Sequence, residues 1–487
     1  MLDQGKLMTG VCAMSLIVGM PALSEAQSTK VLEEYFANLQ SSEFTLTVGD
    51  KADNARSTQW SNVTLKANDG KAQLVIPWIK VGKKILGGFD MTYAEKIEGA
   101  FQSPDPKLLE PIRFVIEGSD MRTEVKGEEG ARVYASSFDE MRFRTLENNV
   151  INVGIDFSDG TSTQVFEAGD IGTSSGNFDV KTMVIEYGLE IDGQKMTSTS
   201  TITDVTSKFK VPLTHHYDPA SPLTSFDLSR DMFLEYAIGS ATLDGSIYSA
   251  MGPLEIKATY GAGSGAFGVK DSVVTLSGIS NDINYDVTSV GTGMPPLQLN
   301  ISNLVAKITA PLDNVDASKP AGIKIAINGL NLSDQVWALF DPKAILSRED
   351  INLDVDLSAS LRWLKEMAGI DLNDAKQAPP VEVENAKINA FNLKVAGAEL
   401  QTTGEVTLDN SHFPPIPEGT VNVSLKGAFG LLTKLTELGF VPAQNAMMIQ
   451  GMSGMFFKPA GDGEDDLISV ITMTKDGHIS ANGMPLK

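Results

Sequence analysis

The sequence predicts a mainly β protein with a few amphipathic helices (α+β), built on an extended, curved antiparallel sheet that forms one body or two lobes. Three observations predict this. Apolar and polar residues alternate with period two, most clearly in 351–361 (INLDVDLSASL), where Ile351, Leu353, Val355, Leu357, Ala359 and Leu361 share one face and Asn352, Asp354, Asp356 and Ser358 the other, wet face. Asp-Gly pairs at 69–70, 159–160, 192–193 and 476–477 lie between strand-like runs, where tight hairpin turns belong. Hairpins joining strands with one wet face imply antiparallel pairing, because parallel strands need long crossovers and are covered on both faces.

The chain has 487 residues, more than one core requires, so two lobes or one long sheet system are expected. Hydrophobic residues make up 42% and charged residues 21%, which excludes a disordered chain. Acidic residues outnumber basic ones by 62 to 39, a net charge of −23, and no Lys/Arg cluster breaks that balance. Nucleic acid is therefore excluded as a partner, and so is electrostatic docking on anionic lipid heads. Binding lipid through apolar side chains remains open.

At the amino terminus, Lys6 precedes an apolar stretch at 7–23, and Ser24-Glu25-Ala26 puts small residues at the −3 and −1 positions of a cut between Ala26 and Gln27. This reads as a secretion signal over 1–26. The only cysteine, Cys12, lies within it, so the processed chain has no disulfide or thiol chemistry. Past residue 30 no apolar run reaches the ~18 residues needed to span a bilayer.

Val31, Leu32, Tyr35, Phe36 and Leu39 recur at helical spacing, so a short amphipathic helix is expected over 31–40. Strand alternation follows, with further clear cases at 297–301, 323–327 and 421–425. Between Ala390 and Phe391 the apolar phase slips by one, from Ile388 and Ala390 to Phe391, Leu393 and Val395, which predicts a β-bulge and a curved sheet. Helical patterns at about 224–238, 332–346 and 429–457 are expected to pack on the sheet's dry face. The Pro-rich segment 212–223 is the expected boundary between an amino-terminal β-rich lobe, 27–222, and a carboxy-terminal lobe with packed helices, 223–487.

Several motifs lack the context their chemistry needs. Gly263, Gly265 and Gly268 spell a dinucleotide-binding pattern, but a strand-like run follows where a helix is required, so a glycine-rich hairpin loop is expected. Gly172, Ser174 and Gly176 spell a hydrolase nucleophile pattern, again followed by a strand. Asp156, Ser158 and Glu167 fall in a calcium-loop frame in which Gly160 sits one place early, so a hairpin turn explains them better. Among His215, His216, His412 and His478 no zinc-protease spacing occurs, and His216 with Asp218 reads as a solvated linker. Met447, Met448, Met452 and Met455 form a Met-rich stretch whose helical spacing suits a deformable packing or docking face better than a copper site. No catalytic, cofactor-binding or metal-binding residue is therefore assigned.

Residues 329–357 (GLNLSDQVWALFDPKAILSREDINLDVDL), Trp337 through Asp341-Pro342 above all, resemble the domain-of-unknown-function family 2125, envelope proteins of Gram-negative bacteria. The tail is similar too, with a Leu-rich helix, Leu-Gly-Phe-Val-Pro, a Met-rich helix and a closing hairpin over 430–487. This chain has Ser347-Arg348-Glu349-Asp350 where that family commonly has prolines. The resemblance is clearest over 300–487 and implies a periplasmic location without an activity. Its architecture invites a weaker analogy with AsmA-like and YdgA-like envelope proteins, whose long β surfaces are associated with lipid handling. The expectation is a non-enzymatic periplasmic protein presenting an apolar surface or groove to a lipid or an envelope protein. The alternatives are an envelope hydrolase acting on glycan or peptide through carboxylates, and a structural scaffold.

Overall fold

The computed structural model describes Leu32 and residues 44–486, apart from 55–56, 69, 86, 103–110, 129, 147–150, 168–171, 192–193, 213–229, 250–251, 290, 292–294, 313–314, 316, 365–380, 413 and 462–464. The signal segment with its Ala26–Gln27 cut and the His216–Asp218 pair lie outside the described residues. So does the expected opening helix, except for Leu32, which is helical and buried. Among the described residues there are 27 strands and three helices, and neighbouring strands run antiparallel. The fold class is thus mainly β, as the alternation and turns predict. The chain divides into two compact units, residues 1–257 with 289–292, and residues 258–288 with 293–487. The division falls at Lys257, downstream of the Pro-rich segment 212–223.

The first unit holds a large core that draws on strands from Ser57–Ala67 to Thr173–Ile191, with Ile79, Met91, Tyr134 and Met141 almost completely buried. Leu32 is part of this core. A line of alternation slips crosses it. In strand Ile151–Glu167, Ile155 and Phe157 enter the core from odd positions and Phe166 from an even one. Asp159 lies between them with φ 52°, a left-handed conformation in which Asp is one of the few tolerated side chains. Neighbouring strands slip at the same level: Tyr134 and Phe138 give way to Met141, and Asp204, φ 51°, interrupts the register of strand Gln194–Pro212.

The Asp159-Gly160 pair is therefore not a hairpin turn but the middle of one strand, which corrects the expectation. The calcium-loop frame that was attributed to that turn lies along the same strand. Gly160 is small because the Phe138 ring occupies the space a Cβ would take. The other Asp-Gly sites behave as turns where described: Gly70 and Gly477 have φ of 75° and 82° between strands that pair with each other.

The second unit is a meander in which each long strand pairs with its sequence neighbours, from Gly263–Lys270 through Val273–Ser289, Leu297–Pro311, Lys319–Leu332, Ile351–Trp363, Val381–Val395 and Ala398–Asp409 to Ile416–Lys426. The last of these pairs, across the two helices that lie between residues 428 and 456, with Asp466–Met473. The expected bulge is present. Asp356 faces Ala390 and Leu357 faces Ile388, so Asn389 is the extra residue, one position earlier than the sequence phase suggests, and Ala390 shares a face with Asp356. The Asn389 amide donates to Asp356 Oδ1 at 2.9 Å and to Ser358 Oγ at 3.0 Å, which satisfies the polar atoms that the bulge exposes.

Two further expectations are corrected. Residues 232–238 form strand Met232–Ile238 and not a helix, a short apolar run for which periodicity alone does not separate the two. Gly263–Lys270 is itself a strand, with Asp271 and Ser272, both at positive φ, making the two-residue turn into Val273–Ser289. The expected helix at 332–346 shrinks to α1, Asp334–Ala338. The pattern at 429–457 divides into α2, Ala428–Glu437, and α3, Ala443–Phe456. Gly439 at φ 82° and Pro442 break the helix between them.

Candidate functional site

Residues directly opposed across an antiparallel pair project to the same face, so the registers of the second unit define its two surfaces. Leu276, Ile308, Ile323, Leu357 and Ile388 form one transverse row on successive strands. Leu353, Leu393, Leu400, Leu425 and Leu467 form a parallel row further along. Ile325, Val355 and Phe391 lie between the two rows. The opposite face carries charge, with Lys324 and Asp356 paired at 3.1 Å and Lys387 opposed to Glu405. One sheet thus has one continuous apolar face and one polar face.

The apolar face is only partly covered. Over the row from Leu393 to Leu467, α2 lays down Leu431, Leu432 and Leu435, and α3 adds Ile449 and Ser453, bordering a half-open cavity of about 350 Å³ whose lining is apolar apart from Glu399 and Ser453. That volume lies within the roughly 300–1,000 Å³ of small-molecule sites. At the other end the described residues leave the row exposed: Leu276 is 52% and Ile308 48% exposed. Large apolar side chains left open in a contiguous row are unusual on a monomer surface and mark an interaction face.

Two local devices hold the cover in place. The start of α2 is capped from a distance by Asp465, whose carboxylate accepts hydrogen bonds from the backbone N–H groups of Phe429 (2.7 Å) and Gly430 (2.8 Å). Asp465 adjoins strand Asp466–Met473, so the cap ties α2 to the sheet. Near α1, the side chain of Asp341 is fully buried and accepts N–H bonds from Ile345 and Leu346, both at 2.9 Å. Arg348 pairs with the same carboxylate at 3.2 Å, and its guanidinium lies 4.6 Å from the centre of the Trp337 ring. The most specific part of the resemblance, Trp337 through Asp341-Pro342, is therefore a structural staple. It packs α1 and Leu346 against Ala396.

Burial pushes the Asp341 carboxyl up, but the two backbone N–H groups and Arg348 outweigh it and hold the group below its ordinary value. Asp356 is likewise lowered, first by the Asn389 amide and then by Lys324. A carboxyl whose folded pKa is depressed contributes stability that is complete above its unfolded pKa, about 3.9, and is lost as pH falls through the folded value. We expect the urea midpoint of the second unit to fall as pH drops below about 4. We expect that fall to be smaller in Asp356→Asn than in the native chain, as followed by circular dichroism. Equal acid sensitivity in the two proteins would remove this account of Asp356.

The remaining sequence candidates do not converge. Ser174 is buried within strand Thr173–Ile191, and a Cβ on Gly176 would collide with the Thr163 carbonyl, so close strand approach explains the glycine. His412 and His478 stand apart beside Asp409 and Asp476, at 3.3 and 3.4 Å. No group of three or more potential metal ligands occurs among the described residues. No helix among them is long and apolar enough to cross a membrane.

Residues 281–486 match the model of a family described as an uncharacterized protein conserved in bacteria (DUF2125). The match covers α1–α3, the Asp341 staple and nearly all of the apolar face. No curated protein and no solved structure matches the chain.

Proposed function

We propose that this is a non-enzymatic periplasmic protein whose second unit presents its apolar sheet face to a lipid, holding an acyl chain in the cavity beneath α2. The observation that carries this reading is the pair of aligned rows, one roofed by helices and the other exposed at Leu276, Ile308 and Ile323. An acyl chain matches a surface that offers dispersion contact and almost no hydrogen-bonding partner. The secretion pattern before Gln27 supports the location.

Native mass spectrometry of the full chain, purified from an envelope fraction without detergent, tests the reading. A bound mass of lipid size is expected, and it should be lost in Leu432→Asp, which puts a charge into the cavity wall. A protein that carries neither lipid nor partner protein would argue against the reading, and a bound mass unaffected by Leu432→Asp would move the site elsewhere.

A further inference from the structure

Helix α3 does not fit the rule that a helix is apolar only where it is covered. Of its residues only Ala446 is buried, and Met447, Met448, Ile449, Met452 and Met455 are exposed. Residues 439–457 contain no Asp, Glu, Lys or Arg, in a chain where 21% of residues are charged. An uncharged helix that exposes this many large apolar side chains in a row is normally covered by protein or lipid.

The helix nevertheless has two distinct sides. Ile449 and Ser453 face the cavity, and Ala446 lies on the same side. Met448, Met452 and Met455 recur at i, i+4 and i+7, so they line up along the outer side, 57%, 47% and 51% exposed. Among the described residues nothing covers this outer stripe.

Charge narrows what that something is. A second copy of the chain would bring another −23 against the first, and an anionic surface is repelled in the same way. The stripe offers no ion-pairing group, so an uncharged, deformable medium suits it, and unbranched methionine side chains adapt to such a medium. We propose that α3 docks this protein on an electrically neutral lipid bilayer, with Met448, Met452 and Met455 entering the acyl region. Because Ile449 and Ser453 on the inner side of the same helix line the cavity, docking would set the cavity beside its lipid source. This step deepens the lipid reading and rests on it.

Flotation of the full chain with phosphatidylcholine vesicles tests the proposal. The native protein should float, and it should do so equally at low and high salt, since no charge takes part. Met448→Asp combined with Met452→Asp should lower the vesicle-bound fraction by about tenfold or more, because each carboxylate opposes entry into hydrocarbon. Met448→Leu with Met452→Leu should float as the native chain does. A Met452→Trp protein should show a blue-shifted fluorescence maximum on adding vesicles.

Native protein that stays at the bottom of the gradient, binding that fades with salt, or an Asp variant that still floats would each overturn the proposal. So would a Met stripe whose Asp substitutions dissociate a dimer in solution. Native mass spectrometry of the same Asp variant separates the two readings. Lost flotation with retained bound lipid supports docking by α3 and leaves the cavity reading intact. Flotation without any bound lipid in the native protein overturns the cavity reading alone.

Discussion

Gly160→Val is expected to destabilise the first unit by about 3 kcal/mol or more, the upper end of what overpacking a close-packed core costs. The Phe138 ring lies directly over the glycine, in the space a Cβ would need, and that ring is itself 3% exposed and cannot swing into solvent. Because the Asp159 slip sits next to it, the strand cannot relieve the clash by sliding in register without turning Phe157 or Phe166 out of the core. A loss of this size against a domain stability of roughly 5–15 kcal/mol should be plain in thermal unfolding and in faster amide exchange across 133–167. Phe138→Ala in the same chain should recover part of the loss, since it empties the contested space. A Gly160→Val protein that melts within about a degree of the native chain would show that the ring moves freely.

Trp337→Ala should open the second unit, at a cost of about 3–5 kcal/mol for removing a buried indole. The ring packs against Phe340, 4.9 Å between centroids, and beneath the Arg348 guanidinium. Its removal takes the centre out of a small buried cluster formed with Leu346 and Ala396. It also strips the ring contact from the guanidinium that pairs with Asp341. Amide exchange should rise over 334–363 and the urea midpoint should fall, while Trp337→Phe should lie between the two. Unchanged exchange over 334–363 in Trp337→Ala would mean that the sheet holds the loop unaided.

The sequence pattern made the strands legible wherever alternation ran uninterrupted, as in Ile351–Trp363, Leu297–Pro311 and Ile416–Lys426. It failed where a slip coincides with residues that also spell a turn. At 159–160 the Asp-Gly pair carries the local signature of a turn, but the left-handed Asp serves to shift phase within a long strand, a choice settled by pairing on both sides. The bulge near Ala390 was visible because its flanking runs are long enough to show both phases. The apolar face could not be read from any single strand, because a transverse row such as Leu276, Ile308 and Ile323 exists only once the registers are known. The Met-rich stretch was legible as a helix, but whether it faced a core or solvent was not, since helical spacing is the same in both cases. The Asp465 cap of α2 was beyond local reading, its partners being 35 and 36 residues away in the chain.

The pairing order of the second unit also has a temporal meaning. Each long strand from Gly263–Lys270 to Ile416–Lys426 bonds to the one made just before it, so every closure along this stretch spans a single connection. A chain threaded outward from its amino terminus could add strands one at a time to a growing edge, without waiting for a distant segment. The exception comes at the end: strand Asp466–Met473 must reach back over both α2 and α3 to join Ile416–Lys426. It brings Asp465 with it, so the helical roof is fastened by the last long strand to arrive, when the apolar floor beneath it is already complete.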